Sequence, residues 1–343
     1  MKAYVFQAPH RVVLRDRPDP RIVAPGDAVV RVTATCVCGS DLWYYRGESP
    51  REHGQGMGHE FVGVVTAVGA EVRGLRPGDA VLAPFRWSDG SCAHCRFGLS
   101  SACVSGGIWG EPGADGAHGE AVRVPFADAT LVRLPGEPVG REALPILAAA
   151  DVLATGHHAA VSAGVRAGSS VAVIGDGAVG LCGVLAARRL GAERIVVFSR
   201  HPQRQTIARV FGADETRPER GDAVIELTAE LTDGVGFDSV LECVGTGESM
   251  TTAIEAVRPG GGVGFVGVPH GSEIPAARLY GKNIRLSGGL APVRSYLDEL
   301  VPDVLDGSLD ASPVFDLEVG FADLADGYLA MHERRAIKAF ALL

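Results

Sequence analysis

The chain has 343 residues, 46% hydrophobic and 6% aromatic, with a formal net charge of -9; one hydrophobic core rarely serves that length, so two domains are expected. Its acidic residues are scattered and it shows no basic stripe, which argues against a nucleic-acid partner. Residues 1–6 run straight into strand-like alternation with no leader pattern, and no uninterrupted apolar stretch of about 18 residues occurs, so a cytoplasmic protein without a membrane segment is expected.

From residue 1 to about 124, short β-branched runs at 28–35, 61–68 and 80–83 are separated by glycine and proline turns, the pattern of a β-rich domain. Pro25-Gly26-Asp27 and Pro77-Gly78-Asp79 repeat one device, a turn that feeds a strand. From about residue 151 the period changes. The segment 152–165 reads as helix, 170–174 as a buried strand and 178–190 as a second helix. Strands at 194–198, 238–242, 262–266 and 283–287 then alternate with helices at 203–211 and 250–257, which predicts an α/β fold with a doubly wound parallel sheet. A helix at 294–306 and a terminal run at 337–343 are expected to return to the first domain. The expected domains are 1–150 with 290–343, and 151–289, with the active site in the cleft between them.

The apolar strand Val171-Ala172-Val173-Ile174 leads into Gly175-Asp176-Gly177-Ala178-Val179-Gly180 and then an apolar-periodic helix, the context a dinucleotide-binding turn requires. Gly175 permits the tight turn, Gly177 lets backbone approach a pyrophosphate and Gly180 permits close helix packing, while the helix N-terminus offers free N–H groups. At the end of the next strand an acidic residue would bind the ribose diol of NAD, but the chain has Phe198-Ser199-Arg200-His201. Ser199 and Arg200 can instead bind a ribose 2′-phosphate, so NADP(H) is expected; Arg204 either adds a second guanidinium or is a solvated helix charge.

Seven cysteines, an odd number, do not form a disulfide framework, and Cys92, Cys95 and Cys103 cluster as a metal site does. Cys36, Cys182 and Cys243 have no such pattern and read as small buried residues. Cys38-Gly39-Ser40-Asp41 follows one strand and Gly58-His59-Glu60 opens another. A thiolate and an imidazole from different loops suit zinc with an open coordination position.

Together, Cys38-Gly39-Ser40-Asp41, Gly58-His59-Glu60-Phe61-Val62-Gly63 and residues 175–180 resemble the zinc-containing medium-chain alcohol dehydrogenases, over nearly the whole chain. The resemblance implies a GroES-like catalytic domain beside a Rossmann domain. It implies that Cys38, His59 and Asp151 hold a catalytic zinc, with a helix N-cap as the alternative for Asp151, and that Glu60 is a fourth ligand or a carboxylate beside the metal. Cys92, Cys95 and Cys103 fit the last three positions of the family's structural-zinc lobe, and Asp89 falls on the first. A vacant lobe and recruitment of His94 are the alternatives.

By the same resemblance Ser40 is a hydroxyl relay for the proton, unless it caps a helix, while the relay histidine of many relatives is replaced by Trp43. Trp43, Tyr44 and Tyr45 are candidates for a substrate wall or for packing. Thr155, Cys243-Val244-Gly245, Val266-Gly267-Val268 and Gly289-Leu290-Ala291 would line the cofactor cleft, and Lys338 would reach the pyrophosphate or lie solvated at the surface. The implied activity is zinc-dependent hydride transfer between NADP(H) and a small alcohol, aldehyde or ketone, by a homodimer or homotetramer. Zinc-free quinone or enoyl reductase chemistry and a non-catalytic NADP-binding redox sensor are the rivals.

Overall fold

The computed structural model describes residues 1–271 and 273–343. They divide into two compact units, one of Met1–Asp151 with Pro292–Leu343 and one of Val152–Ala291.

The first unit is built on a seven-stranded sheet. Its order is Phe315–Glu318, Lys338–Leu342, Ala28–Cys36, Phe61–Val68, Ala80–Ala83 and Val132–Arg133, with Ala121–Val124 pairing off Ala28–Cys36. The terminal run thus becomes a strand inside the sheet, with Phe340 opposite Cys36. Each proline–glycine turn is locked by its aspartate. Asp27 accepts the Val23 and Ala24 N–H groups and the Arg123 guanidinium at 2.7 Å, and Asp79 accepts the Arg76 N–H at 3.0 Å. These bonds satisfy backbone donors that a turn leaves without ladder partners. The core beneath holds Val30, Val32, Phe61 and Trp109; the Phe61 and Trp109 rings meet edge-to-face at 5.3 Å, and the indole N–H donates to the Pro84 carbonyl.

The second unit is a six-stranded sheet, parallel throughout, in the order Glu215–Arg217, Arg194–Phe198, Ser170–Ile174, Phe237–Glu242, Val257–Phe265, Arg285–Gly288. The strand order reverses beside Ser170–Ile174, so the crevice at the carboxyl ends of the strands opens where the glycine turn leaves that strand. The strands Ser170–Ile174 and Arg194–Phe198 coincide with their expected ranges. Val257 pairs with Phe237 before the register shifts to set Ser239 opposite Gly262, so the strand begins earlier than expected and the preceding helix stops at Ala256. The half-buried edge strand Glu215–Arg217 and the helix Asp222–Leu231 escape sequence reading, the strand because three residues show no alternation.

One helical run, Gly140–Ala163, has the length and mean hydropathy, 24 residues and 1.2, of a bilayer-crossing helix, although Pro145, Asp151 and Gly156 interrupt it in sequence. Of its apolar window, 83% is buried, as in the core helix of a globular protein.

Candidate metal centre and nucleotide-binding turn

Cys38 lies two residues beyond the strand Ala28–Cys36, and His59 and Glu60 directly precede Phe61–Val68, which pairs with it. Asp151 closes the first segment of the same unit. These four side chains, each 8% exposed or less, converge so that one donor atom from each lies within 4.8 Å of the others. The Asp151 Oδ2 is 3.3 Å from both Cys38 Sγ and His59 Nε2, so its carboxylate faces the cluster. The arrangement brings sulfur, nitrogen and two carboxylates together, the donor set of a zinc site.

Asp41 opens the helix Asp41–Arg46; one of its oxygens accepts the Cys38 N–H at 3.0 Å and the other stands 3.3 Å from His59 Nδ1. That contact fixes the ring with Nε2 toward the cluster. Burial opposes ionisation of Asp41, but His59 outweighs it and holds the carboxyl at about 2. Burial likewise works against a charged His59, and Asp41 and Asp151 overcome it, raising the imidazole well above its ordinary value. Burial pushes the Cys38 thiol up, with Asp151 adding to it. The Glu60 carboxyl is raised by burial, against the pull of Lys338. A buried set of acidic groups in which Glu60 Oε2 has no hydrogen-bond partner fits a cation held at this point.

Ser40 precedes that helix but makes no side-chain cap; its hydroxyl lies 3.5 Å from His59 Nε2, beside the donor cluster. Lys338 requires a correction. It is 1% exposed, and its ammonium pairs with Glu60 Oε1 at 2.7 Å and reaches the Val37 carbonyl at 3.4 Å. It is therefore not a solvated surface charge, because burial would strand either charge without the other. Tyr44 and Tyr45 are also committed elsewhere. The Arg51 guanidinium covers the Tyr44 ring at 4.5 Å, and Tyr45 packs against Tyr328 in the core. Trp43 is half-buried on the same helix.

His118 carries no motif and is missed by sequence reading, yet it is fully buried with its Nε2 4.0 Å from Asp41, and burial lowers its imidazole to about 4. It also explains Gly58, whose φ is +81° and where a Cβ would lie 1.6 Å from the His118 ring.

Asp89, Cys92, Cys95 and Cys103 form a second group with donor atoms within 4.8 Å of one another. The single helical turn Ala93–Arg96 brings Cys92 and Cys95 sulfurs to 3.6 Å, and Asp89 Oδ1 accepts the N–H groups of Ser91 and Cys92 at 2.7 and 2.8 Å. The Cys92 and Ser91 N–H groups hold the Asp89 carboxyl well below the usual range. Burial and hydrogen bonds with the Cys92 and Cys103 sulfurs push the Cys95 thiol up to about 12. His94 is exposed and stands outside the converging donors.

In the second unit Gly175 has φ +113°, and a Cβ there would lie 2.8 Å from Val244 Cγ2. A Cβ on Gly180 would lie 2.0 Å from the Gly175 carbonyl oxygen, so only glycine lets the helix Ala178–Arg189 seat this closely. Gly177, at the helix N-cap, faces open space, with nothing within 4 Å of its virtual Cβ, and Ala178 and Val179 follow half-buried. This is the cradle a pyrophosphate fits.

The other nucleotide candidates stand at the carboxyl ends of neighbouring strands: Ser199 after Arg194–Phe198, Cys243 to Gly245 after Phe237–Glu242, Val266 to Val268 after Val257–Phe265, and Gly289 and Leu290 after Arg285–Gly288. Thr155 is half-buried on the helix Val152–Ala163. Val244, Val268 and Leu290 are 42%, 48% and 53% exposed, apolar surface available to a ligand. Glu242, another residue sequence reading missed, is fully buried and accepts the N–H groups of Val244 and Gly245 and the Ser249 hydroxyl, fixing that loop. Ser199 and Arg204 are not open donors: the hydroxyl and guanidinium both engage Asp176, at 2.8 and 3.2 Å, while Arg200 is exposed.

Residues 24–136 match the family profile "Alcohol dehydrogenase GroES-like domain" and residues 178–305 match "Zinc-binding dehydrogenase". The zinc-type alcohol dehydrogenase B of Aspergillus flavus is 38% identical over 315 residues, covering 89% of this chain and 72% of that protein. The NADP-dependent isopropanol dehydrogenase of Thermoanaerobacter brockii is 31% identical over 335 residues, covering 93% and 92%. The structure of the alcohol dehydrogenase TADH from Thermus sp. ATN1 superposes with a TM-score of 0.92 at 35% identity, covering 100% and 99%. With both units matched and the zinc-type donor set assembled, the chain belongs to the zinc-containing medium-chain alcohol dehydrogenases.

Proposed function

We propose that the protein is an NADP(H)-dependent alcohol dehydrogenase that holds a catalytic zinc on Cys38, His59 and Asp151 and a structural zinc on Asp89, Cys92, Cys95 and Cys103. The observation that carries the reading is the buried convergence of Cys38, His59, Glu60 and Asp151 donors within 4.8 Å. Intact ligands speak against the zinc-free reductase and the idle sensor. When bound, zinc supplies Lewis-acid polarisation of an alcohol or carbonyl oxygen.

The chain's own groups do the rest. Asp41 orients the His59 ring through Nδ1. Lys338 holds Glu60 Oε1, which also lies 3.8 Å from His59 Nε2, and Oε2 is buried without a hydrogen-bond partner, so Glu60 would stand beside the metal as a fourth ligand or a neighbouring carboxylate. The Ser40 hydroxyl, 3.5 Å from His59 Nε2, is placed to take the proton an alcohol releases. In the second unit the glycine turn binds the pyrophosphate, and the exposed Arg200, with Ser199 once it is released from Asp176, favours a 2′-phosphate where an acidic residue would repel it. The edge strand Arg285–Gly288 ends its sheet with an open ladder, and a homodimer or homotetramer paired there is part of the reading, checked by solution mass.

The test is a panel of alcohols and aldehydes assayed with each cofactor, with and without a zinc chelator. Chelator-sensitive NADPH production from an alcohol is the expected result; a wild-type preference for NAD sinks the cofactor assignment, and full activity after zinc removal sinks the mechanism. Ser40→Ala is expected to lower kcat about a hundredfold while cofactor affinity, read by fluorescence titration, stays constant. Unchanged turnover would reject the relay.

A further inference from the structure

The glycine turn carries a charged residue that no phosphate-binding role needs. Asp176 lies between Gly175 and Gly177, and its side chain is 8% exposed. Its Oδ2 accepts the Ser199 hydroxyl at 2.8 Å and faces His201 Nδ1 at 2.7 Å, and its Oδ1 pairs with Arg204 Nη1 at 3.2 Å. Gln205 donates to the Ser199 carbonyl at 2.6 Å and pins the segment in this arrangement. All three donors come from the stretch following the strand Arg194–Phe198, where parallel-sheet dehydrogenases distinguish the two cofactors. They already converge on an anion, and that anion belongs to the protein. Burial opposes its ionisation, but His201, Ser199 and Arg204 together hold the carboxyl below its ordinary range, so it stays charged.

We infer that Asp176 is a specificity-determining residue, an internal anion that occupies the donors a 2′-phosphate would use and so restrains this chain's preference for NADP(H) over NAD(H). A 2′-phosphate must draw Ser199, His201 and Arg204 away from the carboxylate or bind beside a like charge, and either route weakens its binding. A bare ribose diol meets no such penalty and can donate a hydroxyl proton to the same carboxylate. The inference rests on the NADP(H) reading for its starting point, but its sign is measured independently of that reading.

Asp176→Asn keeps the shape and one acceptor oxygen and removes the charge. The zinc-loaded wild type and variant are titrated with NADP+, NAD+, adenosine 2′,5′-bisphosphate and AMP, and binding is followed by calorimetry. The expected result is a rise of about tenfold in the ratio of the NAD+ to the NADP+ dissociation constant, carried by tighter NADP+ binding and repeated by the bisphosphate against AMP. Arg204→Gln is expected to cost more NADP+ affinity when combined with Asp176→Asn than in wild type, since only the double variant starts from a released guanidinium. An unchanged ratio, or weaker NADP+ binding in the variant, overturns the inference; should Asp176→Asn fold poorly, Asp176→Ser gives the same reading. A wild type that prefers NAD+ overturns the NADP(H) assignment alone, because the direction of the ratio change still decides the role of Asp176.

Discussion

Cys38→Ser and Asp151→Asn are each expected to lower kcat/KM with an alcohol at least about a thousandfold, and to release one zinc ion per chain while the other is retained. The Asp151 carboxylate reaches both the Cys38 thiol and His59 at 3.3 Å, inside a pocket where all three residues are 8% exposed or less. A site this buried has no solvent ligand of equal strength to recruit when one donor is lost. Loss of Lewis-acid stabilisation worth about 4 kcal/mol corresponds to that rate factor. Cofactor affinity should hold, because Gly175, Gly177 and Gly180 belong to the other compact unit. Metal analysis by mass spectrometry alongside steady-state kinetics checks both halves. Near-normal turnover in either variant would show that catalysis does not pass through this cluster.

Cys95→Ser is expected to release the other zinc ion and to lower Tm by about 5–10 °C, with new protease cleavage between residues 89 and 104. The segment around it has little else to hold it. Its regular structure is one helical turn, Ala93–Arg96, the 3-10 turn Ser100–Ala102 and two-residue strands at Arg86–Trp87 and Gly107–Ile108. Phe97 and Val104 are 81% and 73% exposed, so the loop buries few large apolar side chains of its own. Where no core exists, metal ligation supplies the folding free energy. Activity of the surviving folded fraction should be close to normal, which separates this variant from those at Cys38 and Asp151. Unchanged zinc content and Tm would remove Asp89, Cys92, Cys95 and Cys103 from consideration as a ligand set.

The strands Ser170–Ile174 and Arg194–Phe198 of the second unit and the strands around Cys38 and His59 were readable because each is a short run rich in β-branched residues with turn residues nearby. The pairing of Cys92 with Cys95 was readable for a related reason, since three residues separate them across the start of one helical turn and their sulfurs lie on one side. Strands and helices without a strong period, such as Glu215–Arg217 and Asp222–Leu231, left no comparable trace. Lys338 shows the limit most plainly. A lysine near the end of a chain reads as a solvated or phosphate-binding charge, and nothing local announces that the strand Lys338–Leu342 will enter the sheet and carry its ammonium to Glu60. Asp176 is the converse case, legible as part of a motif but with a charge whose partners lie on the next strand's exit.

Local pattern alone thus established the α/β architecture, the glycine turn and the Cys92, Cys95 and Cys103 cluster, because periodicity and short spacing act within a few residues of chain. Tertiary structure decided which groups face one another: Cys38 with Asp151 across 113 residues, Glu60 with Lys338 across 278, and Ser199 with Asp176 across 23. Such pairs are set by sheet register and strand order, which join segments distant in sequence, and burial then makes each polar partner obligatory.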